Sequence, residues 1–369
     1  MSVAAGEVLA GASPVPARRV SAGHVRGWLW GLALLVVLMV AIGGATRLTG
    51  SGLSITEWKP VTGAVPPLSD AGWSAEFEKY RASSQYRNLN RGMELPEFKS
   101  IYWWEWSHRQ LGRLIGLYFF LPLAAFWMSG ALASRLVLRL LGIGALGGLQ
   151  AAVGWIMVAS GLEPGMTAVA PVKLTLHLLI ASAILALIVW TASGLGAGRA
   201  ERAAPGAWRA PAVLLALILL QIGLGGLVAG SRAGWTYNTW PLMDGQLVPS
   251  AETLLVARPA VANLVENAAL VQLNHRLTAY LLVAFALWHA VAVRRSAPGS
   301  RAAHRATGVA GLALMQMALG ITTLVLVVPL AAGLAHQLLA MGLLVAATLH
   351  LRRSLDGSRE PALSPARRS

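Results

Sequence analysis

The sequence predicts an all-α membrane protein with eight transmembrane helices. They form two tandem four-helix bundles, related by a pseudo-two-fold axis along the membrane normal. Three observations carry this expectation. The 369 residues are 56% hydrophobic and only 12% charged, where a soluble domain carries about twice that charge. Eight apolar segments are long enough to cross a hydrocarbon core of about 30 Å. The last four of these segments repeat landmarks of the first four.

The expected spans are 27–46, 107–128, 136–159, 172–192, 211–230, 271–293, 306–327 and 333–351. The first is too long for a removed signal peptide and ends in Gly43-Gly44-Ala-Thr-Arg47, not in a small-residue cleavage site. Residues 1–26 then read as a cytoplasmic N-terminal tail and 27–192 as the first half, with a large outer loop at 47–105. Residues 193–210, rich in Gly, Ala and Arg, read as a cytoplasmic linker, 211–351 as the second half and 352–369 as a cytoplasmic tail. Within the outer loop, amphipathic stretches such as Trp73–Tyr80 predict short helices lying at the interface, apolar face down, as a cap over whatever lies beneath. Trp103, Trp104 and Trp106 read as an interfacial aromatic belt.

Orientation follows from the short loops. Arg18, Arg19 and Arg26 precede the first span. Arg135 and Arg139 follow the second, Arg199, Arg202 and Arg209 the fourth, and Arg294, Arg295, Arg301 and Arg305 the sixth. Arg352, Arg353, Arg359, Arg367 and Arg368 follow the last. The positive-inside rule then places both termini in the cytoplasm. The net charge of +15 is thereby explained as asymmetry across a membrane. The arginines form no continuous stripe, so nucleic acid is not an expected partner. Cysteine is absent, which excludes disulfides, thiolate metal sites, iron–sulfur clusters and covalent heme attachment, and leaves histidine as the available soft ligand.

The halves align through ordered matches. Gly43-Gly44 falls on Gly225-Gly226, Gly52 on Gly234, Trp58 on Trp240 and Gly63 on Gly245. Glu105-Trp-Ser-His108-Arg109 matches Gln272-Leu-Asn-His275-Arg276, and Gln150 and Gly154 match Gln316 and Gly320. Four spans per half is an even number, so the repeats point the same way.

Four histidines concentrate the chemistry. His108, His177, His275 and His336 each lie within about two turns of the start of a span that runs from outside to inside, so they share one depth. An ionisable residue inside a bilayer is a functional candidate by default. A lone histidine on an apolar helix is more often hydrogen-bonded to a neighbour, but four in matched pairs point to two bis-histidine sites. Heme is the usual tenant of such a site, although neutral imidazole also suits copper or zinc. Glu105 shares a helix face with His108, and the second half has the amide Gln272 in its place. A carboxylate can move protons or stabilise developing positive charge, which an amide cannot. The first site therefore reads as the place of chemistry and the second as that of a permanent cofactor. Arg47, Arg109, Arg232 and Arg276, at the outer level, are candidates to hold carboxylates. His289 and His350 each lie fourteen residues after His275 and His336, about 21 Å along a helix. That spacing resembles the stacked hemes of diheme cytochromes b, while snorkelling beside Arg352 and Arg353 accounts for His350 more simply.

The residues together resemble the heme A synthase family of cytochrome oxidase assembly enzymes. The likeness rests on Gly43-Gly44-Ala-Thr-Arg47-Leu-Thr-Gly-Ser-Gly52-Leu-Ser, Glu-Trp-Lys-Pro at 57–60, Pro96-Glu-Phe-Lys99 and Glu105-x-x-His108-Arg109. It rests further on His177, Asn274-His275-Arg276 and His336-Gln337, and spans about residues 27–351. It is closest to the proteobacterial and mitochondrial branch; the cysteine pair frequent in the other branch is absent here. The resemblance implies oxidation of the C8 methyl of heme O to a formyl group, giving heme A. It implies heme b on His275 and His336, heme O on His108 and His177, and Glu105 beside the reacting edge. It also implies association with heme O synthase, an electron-transfer partner it does not identify, and contact with membrane lipid; the short N-terminal tail fits a bacterial inner membrane, while its arginines and scarcity of acids are also those of a mitochondrial presequence. A homo-oligomer is compatible with it. The rival readings are a diheme b-type electron-transfer cytochrome and a transporter built on duplicated halves.

Overall fold

A computed structural model describes residues 22–195 and 203–359 of the chain. The expectations for residues 1–21, 196–202 and 360–369, including those on Arg18, Arg19, Arg199, Arg202, Arg367 and Arg368, lie outside the described residues. Eight helices among the described residues are long and apolar enough to span a membrane. They are α1 (Ala22–Leu48), α4 (Leu95–Met128), α5 (Ser134–Gly161), α6 (Pro171–Gly194), α7 (Arg209–Gly230), α11 (Ala268–Ser296), α12 (Arg301–Val325) and α13 (Leu330–Arg359). Five shorter helices occupy the loops: α2 (Asp70–Arg81), α3 (Ser84–Leu89), α8 (Ala233–Thr236), α9 (Ala251–Leu254) and α10 (Asn263–Glu266). The chain is thus an all-α, multi-pass membrane protein.

The helix starts follow local chemistry. Asn267 caps α11 by accepting from the backbone N–H of Ala269 and Leu270, and Ser300 caps α12 by accepting from Ala303. Pro171 opens α6, where a missing N–H costs nothing. Two helices outrun the apolar runs that announced them. α4 starts at Leu95, twelve residues before the expected 107, because a Glu94–Glu97 capping box closes its first turn. α13 continues past 351 to Arg359, with an Arg352–Asp356 ion pair one turn apart and Arg352 lying 5.1 Å over the Trp190 ring. The outer loop 47–105 is therefore partly helix, and part of the expected cytoplasmic tail 352–369 belongs to α13.

The helix pairings obey one pattern. α1 packs on α4, α4 on α5, α5 on α6 and α6 back on α1. In the same order α7 packs on α11, α11 on α12, α12 on α13 and α13 on α7. Between these groups α6 meets α7, α13 meets α1, and α6 meets α13. The most deeply buried side chains come largely from these four inner helices: Leu29 and Leu32, Leu185 and Ile188, Leu214 and Ile218, Met341 and Leu344. Outward residues such as Leu34, Leu121 and Leu138 are strongly exposed, as expected of a surface solvated by lipid and not by water.

The outer loop differs from expectation. The aromatic face of α2 is not laid on a membrane surface but packs on the outer extension of α4. Trp73, Tyr80, Phe98 and Tyr102 are buried together with Ile55, and Phe77 and Tyr86 pack against them. Trp73 meets the rings of Tyr102 and Trp103 at 5.0 and 5.6 Å. Trp103 and Trp104 remain exposed, while Trp106 turns inward and its Nε1 is buried. These rings find enough apolar partner surface on α4 to form a small core of their own.

Candidate functional site

His108 lies on α4, His177 on α6, His275 on α11 and His336 on α13. His177, His275 and His336 sit six, seven and six residues into their helices, and His108 thirteen, because α4 starts farther out. Each imidazole meets a glycine on the helix that precedes its own long helix. A Cβ built on Gly43 of α1 would stand 3.0 Å from His108 Nε2, and one on Gly154 of α5 would stand 2.8 Å from His177 Cε1. The counterparts are Gly225 of α7, at 3.2 Å from His275 Cε1, and Gly320 of α12, at 2.8 Å from His336 Cε1. Any side chain at these positions would displace the ring, so each glycine forms a notch. His108 and His177 lie within electrostatic range of each other, and so do His275 and His336. As whole residues all four histidines are half-buried.

Glu105 is 3% exposed, so it is not a solvated helix-start residue. Its Oε2 accepts from Ser54 Oγ at 2.8 Å and from the Ile55 backbone N–H at 2.9 Å. Its Oε1 accepts from Arg109 Nη2 at 2.7 Å and from Arg109 Nε at 3.2 Å. Arg109 also donates to the carbonyls of Ile55 and Glu57. The outer loop thus closes directly onto Glu105. In the second half Gln272 Oε1 accepts from Arg276 Nη2 at 2.8 Å, and Gln272 Nε2 donates to the carbonyls of Ala233 and Tyr237. Arg276 donates to the carbonyls of Tyr237, Thr239 and Leu242. The two sites share a frame and differ in charge.

The candidate arginines divide. Arg109 spends its donors on loop carbonyls and on Glu105, which accounts for it as a loop anchor, whereas Arg276 anchors its loop and Gln272 through its two Nη atoms and leaves its Nε buried without a partner. Arg47 donates to the Ala229 carbonyl at the outer end of α7 and lies 5.7 Å over the Trp235 ring. His289 and His350 are not separate interfacial residues. Both are buried, and their Nε2 atoms are 2.8 Å apart, one ring donating to the other. Two imidazoles on opposite sides of one heme iron stand about 4 Å apart, with bonds of about 2 Å to each, so this 2.8 Å pair does not bracket a heme iron. Helix packing, not snorkelling, accounts for His350.

Reading the sequence missed three contacts near the imidazoles. Gln221 Nε2 lies 3.0 Å from His275 Nδ1 and donates to the His275 carbonyl at 3.1 Å. Gln316, noted only as a repeat match, stands in the same way to His336 at 3.2 and 3.0 Å. Gln337, next to His336, donates to the Val40 carbonyl at 2.8 Å and ties α13 to α1. The available signal was a Gln-x-x-x-Gly frame that occurs at 150–154, 221–225 and 316–320.

The donor set suits a porphyrin iron. Each pair offers two imidazoles borne on separate helices, with orphaned polar atoms beside them: His177 Nδ1 and the Oε1 atoms of Gln150, Gln221 and Gln316 are buried without a partner. Fold and site define an integral membrane protein with two matched histidine pairs near one end of its helices, one of them accompanied by a buried carboxylate. The chain belongs to the cytochrome oxidase assembly protein family, whose model matches residues 26–348. It is 62% identical over 341 residues to a heme A synthase of Methylorubrum extorquens, covering 92% of this chain and 89% of that protein. It is 62% identical to a heme A synthase of Methylobacterium radiotolerans, covering 92% and 93%. It is 54% identical to one of Azorhizobium caulinodans, covering 93% and 96%.

Proposed function

We propose that this chain is a heme A synthase, a membrane oxidoreductase that converts the C8 methyl of heme O to a formyl group by way of the alcohol. The observation that carries the reading is the pair of matched imidazole sites that differ in one chemical group, the Glu105 carboxylate. The names of the relatives, at this identity and coverage, supply the substrate.

In this reading residues 27–192 form the substrate half and residues 211–351 the cofactor half, related by an axis that passes between α6 and α13. His275 and His336 hold heme b, which when bound supplies a one-electron relay. His108 and His177 hold the substrate iron and so fix which edge of the macrocycle faces the protein. Glu105, pinned by Ser54, Ile55 and Arg109, holds negative charge where positive charge develops at the methyl edge, or accepts a proton released there. The α2–α4 aromatic cluster and the loop closed on Glu105 cover that edge on the outer side. The substrate is apolar and carries a long isoprenoid tail, so it arrives from the lipid, by hand-over from heme O synthase. An electron-transfer partner completes the reaction. In this reading the site faces the outer side of a bacterial inner membrane and both termini lie in the cytoplasm, which the positive-inside pattern supports.

Pigment extraction from the purified protein tests this reading. Heme O or heme A beside heme b is the expected result. Two heme b per chain points to a diheme cytochrome instead, and the absence of any heme removes both.

A further inference from the structure

The four imidazoles share more than a glycine. Each notch glycine has a partner four residues earlier on its helix, one turn away on the same face. Three of these partners are glutamines: Gln150 before Gly154, Gln221 before Gly225 and Gln316 before Gly320. The fourth is Met39, before Gly43, and it belongs to His108. The Met39 methyl reaches toward α4 at Gly112, one turn after His108, where a Cβ would meet it at 3.1 Å.

The glutamines are incompletely bonded. In Gln221 and Gln316 the amide nitrogen donates to the carbonyl of the adjacent histidine and also stands 3.0 and 3.2 Å from the ring Nδ1, so it is the nitrogen and not the oxygen that faces the ring here. The amide oxygens of Gln150, Gln221 and Gln316 are buried with no partner, and among the described residues they are the only buried side-chain oxygens so left. An imidazole bonded to iron through one nitrogen carries its proton on the other, and that N–H needs an acceptor when water is absent. Each deficiency answers the other. The terminal amide torsion of glutamine is soft, so turning the amide over brings Oε1 to the ring without moving the helices, in exchange, in Gln221 and Gln316, for the bond from Nε2 to the histidine carbonyl.

We propose that Gln150, Gln221 and Gln316 are positioning residues whose Oε1 accepts the ring N–H of His177, His275 and His336, and that Met39 withholds this acceptor from His108. A hydrogen bond from the distal N–H raises the basicity of the ligating nitrogen and strengthens its bond to the metal. A thioether is only a weak acceptor. The second site then has two supported ligands and keeps its heme. The first has one supported and one unsupported ligand, so His108 is the bond that yields when substrate enters and product leaves. This rests on the proposed function, which makes the first site the exchanging one.

The test uses the full-length protein in detergent, with heme O as the probe of the first site and apomyoglobin as the acceptor of released heme. Met39→Gln introduces a residue already tolerated at three equivalent positions. It is expected to slow heme release from the first site about tenfold and to move the low-spin EPR signal of that site toward that of the resident heme. Gln221→Leu is expected to speed loss of the resident heme about ten- to a hundredfold and to raise its midpoint potential, because a less basic ligand favours ferrous iron. A merely structural glutamine would not shift a potential. Unchanged release by Met39→Gln overturns the proposal, as does an unchanged potential in Gln221→Leu. His275→Ala separates the two levels. If it abolishes the resident low-spin signal while the Met39 and Gln221 variants change nothing, only the glutamine assignment falls. If the signal survives His275→Ala, the ligand reading falls, and this inference with it.

Discussion

Glu105 and Gln272 stand at equivalent places, each bonded to an arginine one turn on, each buried and each closing an outer loop. The amide in the second half shows that this frame forms without a charge. Glu105→Gln is therefore expected to fold and to keep the resident heme spectrum, while heme A formation falls about a hundredfold or more, the range set by losing a positioned acid–base group. Normal heme A yield in membranes of that variant would remove Glu105 from the chemistry. Arg109→Ala is the contrasting case, because it leaves a buried carboxylate without its cation. Breaking such a pair costs about 3–5 kcal/mol, so thermal unfolding in detergent should shift downward well beyond any effect of Glu105→Gln. Gln272 Nε2 also donates to two carbonyls, which a carboxylate cannot do. Gln272→Glu is thus not the mirror of Glu105→Gln, and should weaken the second outer loop.

At the scale of elements, each imidazole depends on a glycine of the neighbouring helix. Gly154→Val would drive a side chain into His177 Cε1, where even a Cβ stands 2.8 Å away. The expected result is loss of heme O binding at the first site with the resident heme spectrum intact. Gly320→Val should do the reverse, and loss of both hemes in either variant would contradict two separate notches. The outer loop is held to α2 by charges as well as rings. Lys79 lies 2.7 Å from both Glu57 and Glu76, and Lys59 lies 2.6 Å from Glu57. These lysines pull the Glu57 carboxyl down to about 2 from its ordinary 4.5. A depressed carboxylate contributes stability that is present above its unfolded value and is lost as pH falls through the folded one. The clasp should therefore hold above about pH 4.5 and weaken as pH drops toward about 2. Cleavage within 47–95 by an acid-active protease should rise over that interval and stay flat above it.

At the scale of the molecule, the inner helices α1, α6, α7 and α13 form the common wall between the two sites. The α6–α13 contact brings the helices of His177 and His336 side by side, so the second histidine of each pair is borne on the central pair of helices. The spans were legible because an apolar run has to be long to cross a bilayer, and each of the eight helices contains its expected run to within a few residues at most ends. The exceptions have local causes. Glu97 and Lys99 interrupt the apolar pattern where α4 begins, and Arg352, Arg353 and Asp356 interrupt it where α13 continues. The four histidines, the four glycines and the contrast between Glu105 and Gln272 were also visible, since these landmarks recur in the same order in both halves of the sequence.

Hydropathy, charge asymmetry and repetition along the chain were sufficient to determine a multi-pass helical protein and its histidine set, because each is a property of linear order. Only the tertiary structure decided what lies against those residues. It turned α2 onto α4 instead of onto lipid, bonded His289 to His350, committed Arg109 to Glu105 and set a glutamine or a methionine beside each notch. These outcomes depend on which helix faces meet, and a helix face acquires its partner only when the bundle closes.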